Sequence, residues 1–248
     1  MRRLSRIGGA LYLTIIALGF CEAALIRERI VASGNAALTA ENLRSMESLW
    51  RLGIASDFVV LCCSIVLAMI LYRLLSPVNA LLAGIAILFN LITIAVEATS
   101  DLILVAAILP LGHASYLNSF TVDQRFAAAS LATAAYDYGF GAALIFFGFE
   151  CLILGYLIYR SGYLPKIVGV LMFAAGTCYL VNSFALIVAP ALGSRLFPLI
   201  LVPSFVGESS MALWLLFKGV DETRFPGEPI GARSVSRWAS NSAIGTLR

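Results

Sequence analysis

One stretch of sequence, Gly139–Tyr159, limits what this chain can fold into. It runs for 21 residues with a single charged side chain, Glu150. As an α-helix rising 1.5 Å per residue, it spans roughly 30 Å, the thickness of a bilayer's hydrocarbon core. Glu150 lies near its middle, and an ionisable side chain at that depth costs about 3 kcal/mol or more. We therefore expect a transmembrane helix whose Glu150 points into a helix bundle and away from lipid.

This span ends in a short basic turn at residues 160–162, and Pro165 begins another apolar segment. Proline fits the first turn of a helix because its missing N–H has no partner there. Within the span, glycine recurs every seven residues, at Gly141, Gly148 and Gly155. Small residues at this spacing let two helix backbones approach closely in a membrane. The pattern predicts a helical hairpin around which the other spans pack.

The composition indicates the same class for the whole chain. Of the 248 residues, 60% are hydrophobic and 12% are charged, and the mean hydropathy is +0.93. A soluble domain carries about twice that charged fraction. The sequence therefore predicts an all-α, polytopic integral membrane helix bundle. The net charge of +3 is small and no basic run alternates with aromatic residues, so we expect no nucleic-acid partner.

Apolar segments suited to crossing a membrane occur at residues 7–26, 50–72, 80–109, 139–159, 164–188 and 196–217. The alanine-rich residues 126–135 are predicted to continue helically into the fourth span. The first segment imitates a signal peptide, but it is too long and has no clear small-x-small cleavage site, so we expect it to be retained. The bundle is predicted to occupy residues 1–218, and the polar residues 219–248 are predicted to be a disordered cytoplasmic tail.

The distribution of basic residues predicts the orientation of the chain. Six spans place both termini on one side, and that side receives eleven of the seventeen lysines and arginines. Cytoplasmic loops carry the excess of basic residues in membrane proteins. Both termini are therefore expected in the cytoplasm, and the protein is expected in the inner (plasma) membrane of the cell as a multi-pass protein.

Carboxylates are distributed differently from basic residues. Seven of the fourteen lie within or at the ends of predicted spans, whereas no lysine or arginine lies deep in any span. Charges are selected against in lipid, so this asymmetry is not expected by chance. The seven candidate ligand- or ion-binding residues are Glu22, Asp57, Glu97, Asp101, Asp137, Glu150 and Glu208.

The predicted depths of these acids suggest a cavity. The first five fall in the outer half of the membrane, and Glu150 and Glu208 fall near the middle. In the third span, Glu97 and Asp101 follow Asn90 at spacings of seven and four, which place all three on one helical face. We expect an acidic, water-filled cavity that opens to the outside and narrows to the midplane pair. The loop arginines at positions 27, 29 and 51 are expected across its mouth.

Several close carboxylates cannot all be ionised, so such a cavity suits a cation, a proton relay or an amine-bearing small molecule. Structural roles are the alternative. Glu22 and Asp57 are then expected to reach the interface or to pair with Arg27 and Arg51. The acids of the third span are expected to be protonated and to donate hydrogen bonds to neighbouring helices. Asn90 is expected to make an interhelical hydrogen bond.

The residues needed for other chemistries are missing. The single histidine, His113, lies in a predicted loop, and the five cysteines all lie in apolar spans at no zinc-site spacing. No serine-hydrolase, zinc-protease, P-loop or Rossmann motif occurs. Tyr136-Asp137 resembles the first motif of intramembrane aspartyl proteases, but the partner Gly-x-Gly-Asp is absent. The sequence therefore predicts no cofactor, no metal and no specific catalytic residue.

Several stretches resemble one family along almost the whole chain, over about residues 5–220. They are Arg6–Leu13, Glu47–Ala55, Leu71–Asn79, Phe146–Gly148 with Leu154–Gly162, and Phe205–Glu208 before Ala212–Leu215. On these residues the chain is similar to the bacterial and archaeal membrane family named domain of unknown function 4386. The resemblance implies a six- or seven-helix integral membrane protein. It carries over no catalytic residue.

Three functions stay open from the sequence. The leading hypothesis is a small transporter, a channel-like protein or a ligand sensor built around the carboxylates, with membrane lipid as its surroundings. An intramembrane enzyme acting on lipid, with Glu150 or Glu208 as general acid or base, predicts a lateral opening between helices that the acids line. A non-catalytic scaffold or regulatory subunit predicts that neighbouring side chains satisfy each acid separately, without a connected cavity.

Overall fold

The computed structural model describes residues 1–226, and over that range the chain is helical without strands. Six helical segments are long and apolar enough to cross a membrane, as the sequence predicts. They are Arg2–Ile30, Glu47–Leu75, Ala80–Leu111, Val122–Ser161, Lys166–Val188 and Leu199–Phe217. Helices are the expected solution because the backbone N–H and C=O groups of a span find no water in the bilayer core.

In chain order the elements are α1 (Arg2–Cys21), the π-helical segment π1 (Glu22–Arg27), α2 (Glu28–Ile30), α3 (Ala36–Ser45), α4 (Glu47–Leu75), α5 (Ala80–Ile108), α6 (Val122–Ser161), α7 (Lys166–Val188), α8 (Pro190–Leu196) and α9 (Val202–Phe217). Short 3₁₀ turns lie at Leu109–Leu111, Ser115–Ser119 and Leu199–Leu201. The segments α1, π1 and α2 form one continuous first span.

The longest helix, α6, has 40 residues and joins the predicted fourth span to the alanine-rich residues before it. Thr121 and Gln124 form a capping box at its start. Gly162 ends it with a φ of 73°, a left-handed conformation that glycine adopts without a Cβ clash. Because α6 packs most extensively against α5 and α7, it is the central helix of the bundle.

The hairpin of α6 and α7 is held at close range by glycines. A Cβ added at Gly155 would lie 2.7 Å from the carbonyl oxygen of Gly169, and one added at Gly176 would lie 2.6 Å from that of Gly148. Both distances are shorter than any normal contact, so only glycine fits. The predicted seam at spacing seven is thus the contact with α7, where Gly141 faces the side chain of Leu186.

Buried apolar residues form two clusters, one toward each end of the bundle. The larger cluster takes Leu67 and Leu74 from α4 and lies toward the termini. The smaller cluster takes Trp50 and Ile54 from α4 and Leu104 from α5, and it lies toward the opposite end. The intramembrane acids of α4 and α5 fall between these clusters along the chain.

Trp50 connects α4 to α5 within the smaller cluster. Its side chain is 1% exposed, and its indole Nε1 donates to the carbonyl oxygen of Leu104 at 3.0 Å. We expect Trp50→Phe to lower the free energy of unfolding by about 1–2 kcal/mol, because it removes this hydrogen bond and leaves a small void. Denaturant unfolding in detergent measures the loss. Trp214→Phe is the control, since Trp214 is only half-buried, and a loss as large as that of Trp50→Phe would contradict the prediction.

Two local features differ from what the sequence predicts. Pro203, inside the last apolar segment, predicts a kink there. Instead α9 begins at Val202 and the proline occupies its first turn, where no N–H is needed. Thr39 has the residue type of a cap for a helix over residues 40–49. The cap of α3 is instead Asn35, whose side chain accepts from the Leu38 N–H at 3.0 Å.

Both ends of the described chain meet at one end of the bundle. The Met1 amine lies 3.1 Å from the Glu222 carboxylate, and the Arg2 N–H donates to the same oxygen at 2.8 Å. Residues 219–226 pack beside the bundle through the buried Val220. The remainder of the predicted tail, residues 227–248, lies outside the described residues.

Candidate functional site

The seven intramembrane acids occupy two places in the bundle. Five of them interact electrostatically with Arg27, and we name this set, with the arginine, the Arg27 group: Glu22, Asp57, Glu97, Asp101 and Asp137. The other two, Glu150 and Glu208, are also buried, and we name them the midplane pair. The two members of the midplane pair are close enough to interact electrostatically.

Arg27 touches two carboxylates and two rings. Its Nη2 lies 3.5 Å from Glu22 Oε2, and its Nη1 lies 3.7 Å from Asp137 Oδ1. Its guanidinium carbon lies 4.6 Å from the ring centroid of Tyr136 and 5.9 Å from that of Phe140. A guanidinium is attracted to an aromatic face at these distances. The arginine thus bridges the first span and α6.

The location of Arg27 corrects the sequence prediction, which placed this residue in a loop across the mouth of a cavity. It belongs to π1, and its side chain is only 20% exposed. The other two arginines of the predicted mouth are exposed. Arg51 pairs with Glu47 at 2.7 Å and not with Asp57.

The π-helical turn explains why Arg27 and Glu22 meet. In an α-helix, residues five apart point about 140° away from each other. A π-helix closes its turn over five residues, so residues 22 and 27 face the same side. Such turns are frequent at functional sites. No pattern in the sequence distinguishes this turn from an ordinary α-helical one.

Two acids of the Arg27 group have oxygens without partners. Asp101 is fully buried, yet neither of its carboxylate oxygens has a hydrogen-bond partner within residues 1–226. Asp57 is 9% exposed, and its Oδ2 also lacks one there. Buried polar atoms are normally hydrogen-bonded, so these oxygens point to a proton, a water molecule or a cation as partner. Both side chains interact electrostatically with Glu22 and Arg27.

Exposure differs across the Arg27 group. Glu22 is buried and Glu97 is half-buried, whereas the Asp137 side chain is 64% exposed. Beyond this group, toward the end of the bundle away from the termini, the neighbouring residues belong to the smaller apolar cluster. The group therefore reaches the surface at Asp137, and apolar side chains cover its other members from that end.

The midplane pair is held by uncharged polar partners. Asn90 Nδ2 donates to Glu150 Oε2 at 2.9 Å. The Tyr179 hydroxyl donates to Glu208, and the buried Tyr12 hydroxyl also interacts with that carboxylate. Because Asn90 shares a face of α5 with Asp101, one helix connects the pair to the Arg27 group, as the spacing predicted.

A small cavity adjoins Glu150 on the side nearer the termini. It offers about 10 Å³ for the centre of a water molecule, which is room for about one water. Glu150 is its charged member, and the other lining residues come from α4, α5 and α6, including Ala68, Tyr72 and Leu154.

Tyr12, Tyr179 and the inward role of Arg27 were missed by sequence reasoning. The tyrosines carried a usable signal, since a hydroxyl in the middle of an apolar span needs a hydrogen-bond partner. Within the part of the chain that the structure describes, no three histidine, cysteine or acidic side chains converge as metal ligands do.

The six spans and their inward acids define a polytopic helical membrane protein with an acidic interior. The chain belongs to the family described as "Domain of unknown function (DUF4386)", whose sequence model matches residues 7–219. The resemblance stated from the sequence is confirmed. An "Uncharacterized protein" of Archaeoglobus fulgidus is 28% identical over 171 residues, which cover 67% of this chain and 83% of the archaeal protein. No solved structure matches the chain.

Proposed function

We propose that this protein is a small membrane transporter that exchanges protons for a cation at its intramembrane carboxylates. The observation that supports this most is the inward placement of the acids in two groups joined by one face of α5. Glu150 and Glu208 are 3% and 8% exposed, in a chain whose described part spans a membrane six times. Ionisable residues in such places mark ion pathways and proton relays in membrane proteins.

The chemistry of the acids suits exchange. A carboxylic acid that holds a proton is neutral and does not attract a cation, whereas the carboxylate left after proton loss does. A cation that binds therefore displaces protons, and protons that return displace the cation. Asp137 is the exposed point of entry, and the acids behind it continue through Asp101 to the Asn90–Glu150 contact.

The arrangement of carboxylates and aromatic rings in the Arg27 group indicates the kind of cation. Divalent metals are held by several oxygen or nitrogen ligands that converge on one point. The described acids show no such convergence, while Tyr136 and Phe140 lie beside them. Mixed acidic and aromatic surroundings suit an amine-bearing organic cation or a proton. In this proposal both termini are cytoplasmic, and the membrane is the inner (plasma) membrane.

A scaffold or regulatory subunit is the second candidate, because four acids have polar partners. Glu22 and Asp137 contact Arg27, Glu150 contacts Asn90 and Glu208 contacts Tyr179. No contact among the described residues favours the third possibility, an intramembrane enzyme that acts on lipid through Glu150 or Glu208.

The test is proton flux in liposomes that contain the purified full-length protein and an enclosed pH-sensitive dye. A gradient of methylammonium chloride, higher outside, drives the exchange, and liposomes without methylammonium are the comparison. We expect proton flux above that of protein-free liposomes only when methylammonium is present, because the buried acids exchange protons for the cation. The double variant E150Q/E208Q is expected to reduce it to the protein-free rate, since glutamine keeps the shape but cannot exchange protons.

The matched control is E47Q, which changes a surface glutamate that pairs with Arg51. It is expected to transport like the unmodified protein. Flux that is unaltered in E150Q/E208Q would show that the midplane pair is not the site. Absence of any flux, together with lower stability of E150Q/E208Q, would favour the scaffold.

A further inference from the structure

We propose that the Arg27 side chain occupies a site that fits a guanidinium group. A ligand carrying a planar guanidinium-type cation binds in the same site when the Arg27 side chain withdraws. This inference rests on the proposed function, because it names the class of cation and the residue that competes with it. It would make the Arg27 group selective for flat, forked cations over compact ammonium ions.

The contacts of Arg27 are those that a free guanidinium would need. Its guanidinium carbon lies over the Tyr136 ring, with Phe140 nearly parallel to Tyr136 at an interplanar angle of 12°. Its two terminal nitrogens point to different carboxylates, Glu22 and Asp137. A guanidinium stacks on aromatic faces and presents its donors as a planar fork, which an ammonium does not.

The two ion pairs of Arg27 are long. Its ion pairs measure 3.5 and 3.7 Å, longer than the 2.7–2.9 Å that is typical of charge-assisted hydrogen bonds. No hydrogen bond joins its guanidinium to either carboxylate in the described chain. One of the two, Asp137, is exposed, so the pair opens toward the surface.

The Arg27 group contains more acidic side chains than one arginine can pair with. Five acidic side chains interact electrostatically with it, and the fully buried Asp101 has both oxygens without a partner among residues 1–226. These unpartnered oxygens are an observation independent of the contacts of Arg27. They show that the group has buried oxygens available to a ligand's N–H donors that Arg27 itself does not use.

The π-helical turn offers a way for Arg27 to withdraw. If π1 converts to an α-helix, residues 22 and 27 rotate from the same face to directions about 140° apart. This change takes the guanidinium away from Glu22 and leaves Tyr136 uncovered. Entry of the ligand and the change in π1 would then be coupled, because the ligand and the Arg27 guanidinium need the same ring and the same carboxylate.

The experiment measures thermal unfolding of the full-length protein in detergent with methylguanidinium chloride, methylammonium chloride or sodium chloride at equal ionic strength. The variant R27A removes the guanidinium group that occupies the site. At a concentration ten times the dissociation constant, methylguanidinium is expected to raise the Tm of R27A by about 3–5 °C. Methylammonium is expected to raise it less, and sodium chloride is expected to leave it unchanged.

The unmodified protein and R51A are the comparisons. Arg51 also pairs with a glutamate, but both side chains are exposed, so removal of Arg51 leaves no buried site for a guanidinium group. Neither protein is expected to respond to methylguanidinium beyond the sodium chloride baseline. An equal Tm rise in R27A for methylguanidinium and sodium chloride would overturn the proposal. So would a rise in the unmodified protein as large as that in R27A, because Arg27 would then not compete.

A second variant tests the same site if R27A does not fold. R27M keeps an unbranched apolar stem against Tyr136 while it removes the charge. If either variant is aggregated in sodium chloride but monodisperse in methylguanidinium, the proposal is supported. If both stay aggregated in both salts, it is contradicted.

These results are separable from the flux assay. A selective Tm rise in R27A together with absent flux would support the guanidinium site and contradict transport. Flux that depends on Glu150 and Glu208, without guanidinium selectivity in R27A, would contradict this inference and leave transport supported.

Discussion

Gly155→Ala is expected to destabilise the protein by about 3 kcal/mol or more, at the upper end of overpacking effects. The added Cβ would lie 2.7 Å from the Gly169 carbonyl oxygen and 2.8 Å from the Phe173 amide nitrogen. Both neighbours are backbone atoms of α7, so neither can rotate away as a side chain would. The two helices must separate, and the contacts that place Glu150 and Tyr179 in the bundle then loosen. Unfolding in mixtures of dodecylmaltoside and SDS measures the change.

The matched control is Gly84→Ala in α5. A Cβ at Gly84 meets no heavy atom within 4 Å, so the substitution adds only the better helix propensity of alanine. We expect it to stabilise the protein slightly, by about 0.5–1 kcal/mol. Equal effects of the two substitutions would contradict the close approach of α6 and α7.

Arg27→Ala is expected to lower the free energy of unfolding by about 3 kcal/mol when no guanidinium salt is present. The loss arises because the buried Glu22, 5% exposed, is left beside other acids without its positive partner. In the double variant E22Q/R27A the loss should be smaller by about 1–2 kcal/mol, since glutamine carries no charge that needs compensation. The same detergent unfolding assay, applied to both single variants and the double variant, gives the coupling.

Arg51→Ala is the control for this cycle. Arg51 and Glu47 form a shorter ion pair, 2.7 Å, but both side chains are exposed, so its removal is expected to cost less than about 1 kcal/mol. The shorter pair should therefore matter less than the longer one, because burial outweighs distance. If Arg51→Ala is as costly as Arg27→Ala, the Arg27 group is not a buried electrostatic unit.

The spans could be predicted because apolar length is a local property. Glu150 could also be assigned to the bundle interior, since a charge facing lipid is costly at that depth. The joining of residues 126–135 to the fourth span was predicted because no helix-breaking residue separates them, and α6 is one helix of 40 residues. The shared face of Asn90 and Asp101 followed in the same way from the helical repeat within α5.

The predicted location of Arg27 failed for a physical reason. An arginine after an apolar run normally marks the end of a span, where it can reach the interface. Here the helix continues, and a π-turn directs the side chain inward. A π-turn differs from an α-turn by one step in hydrogen-bond pairing, and neighbouring helices decide that pairing. Because those neighbours come from distant parts of the chain, the residues 22–27 alone could not indicate it.

The sequence alone determined that the chain forms six membrane-spanning helices and that its intramembrane charges are almost all acidic. Both follow from the composition of segments read one at a time. The tertiary structure decided which acids share a partner: Glu150 meets Asn90, Glu208 meets Tyr179, and Arg27 lies between Glu22 and Asp137. These contacts depend on how each helix is rotated about its axis, and the rotation is fixed by close backbone contacts such as Gly155 on Gly169.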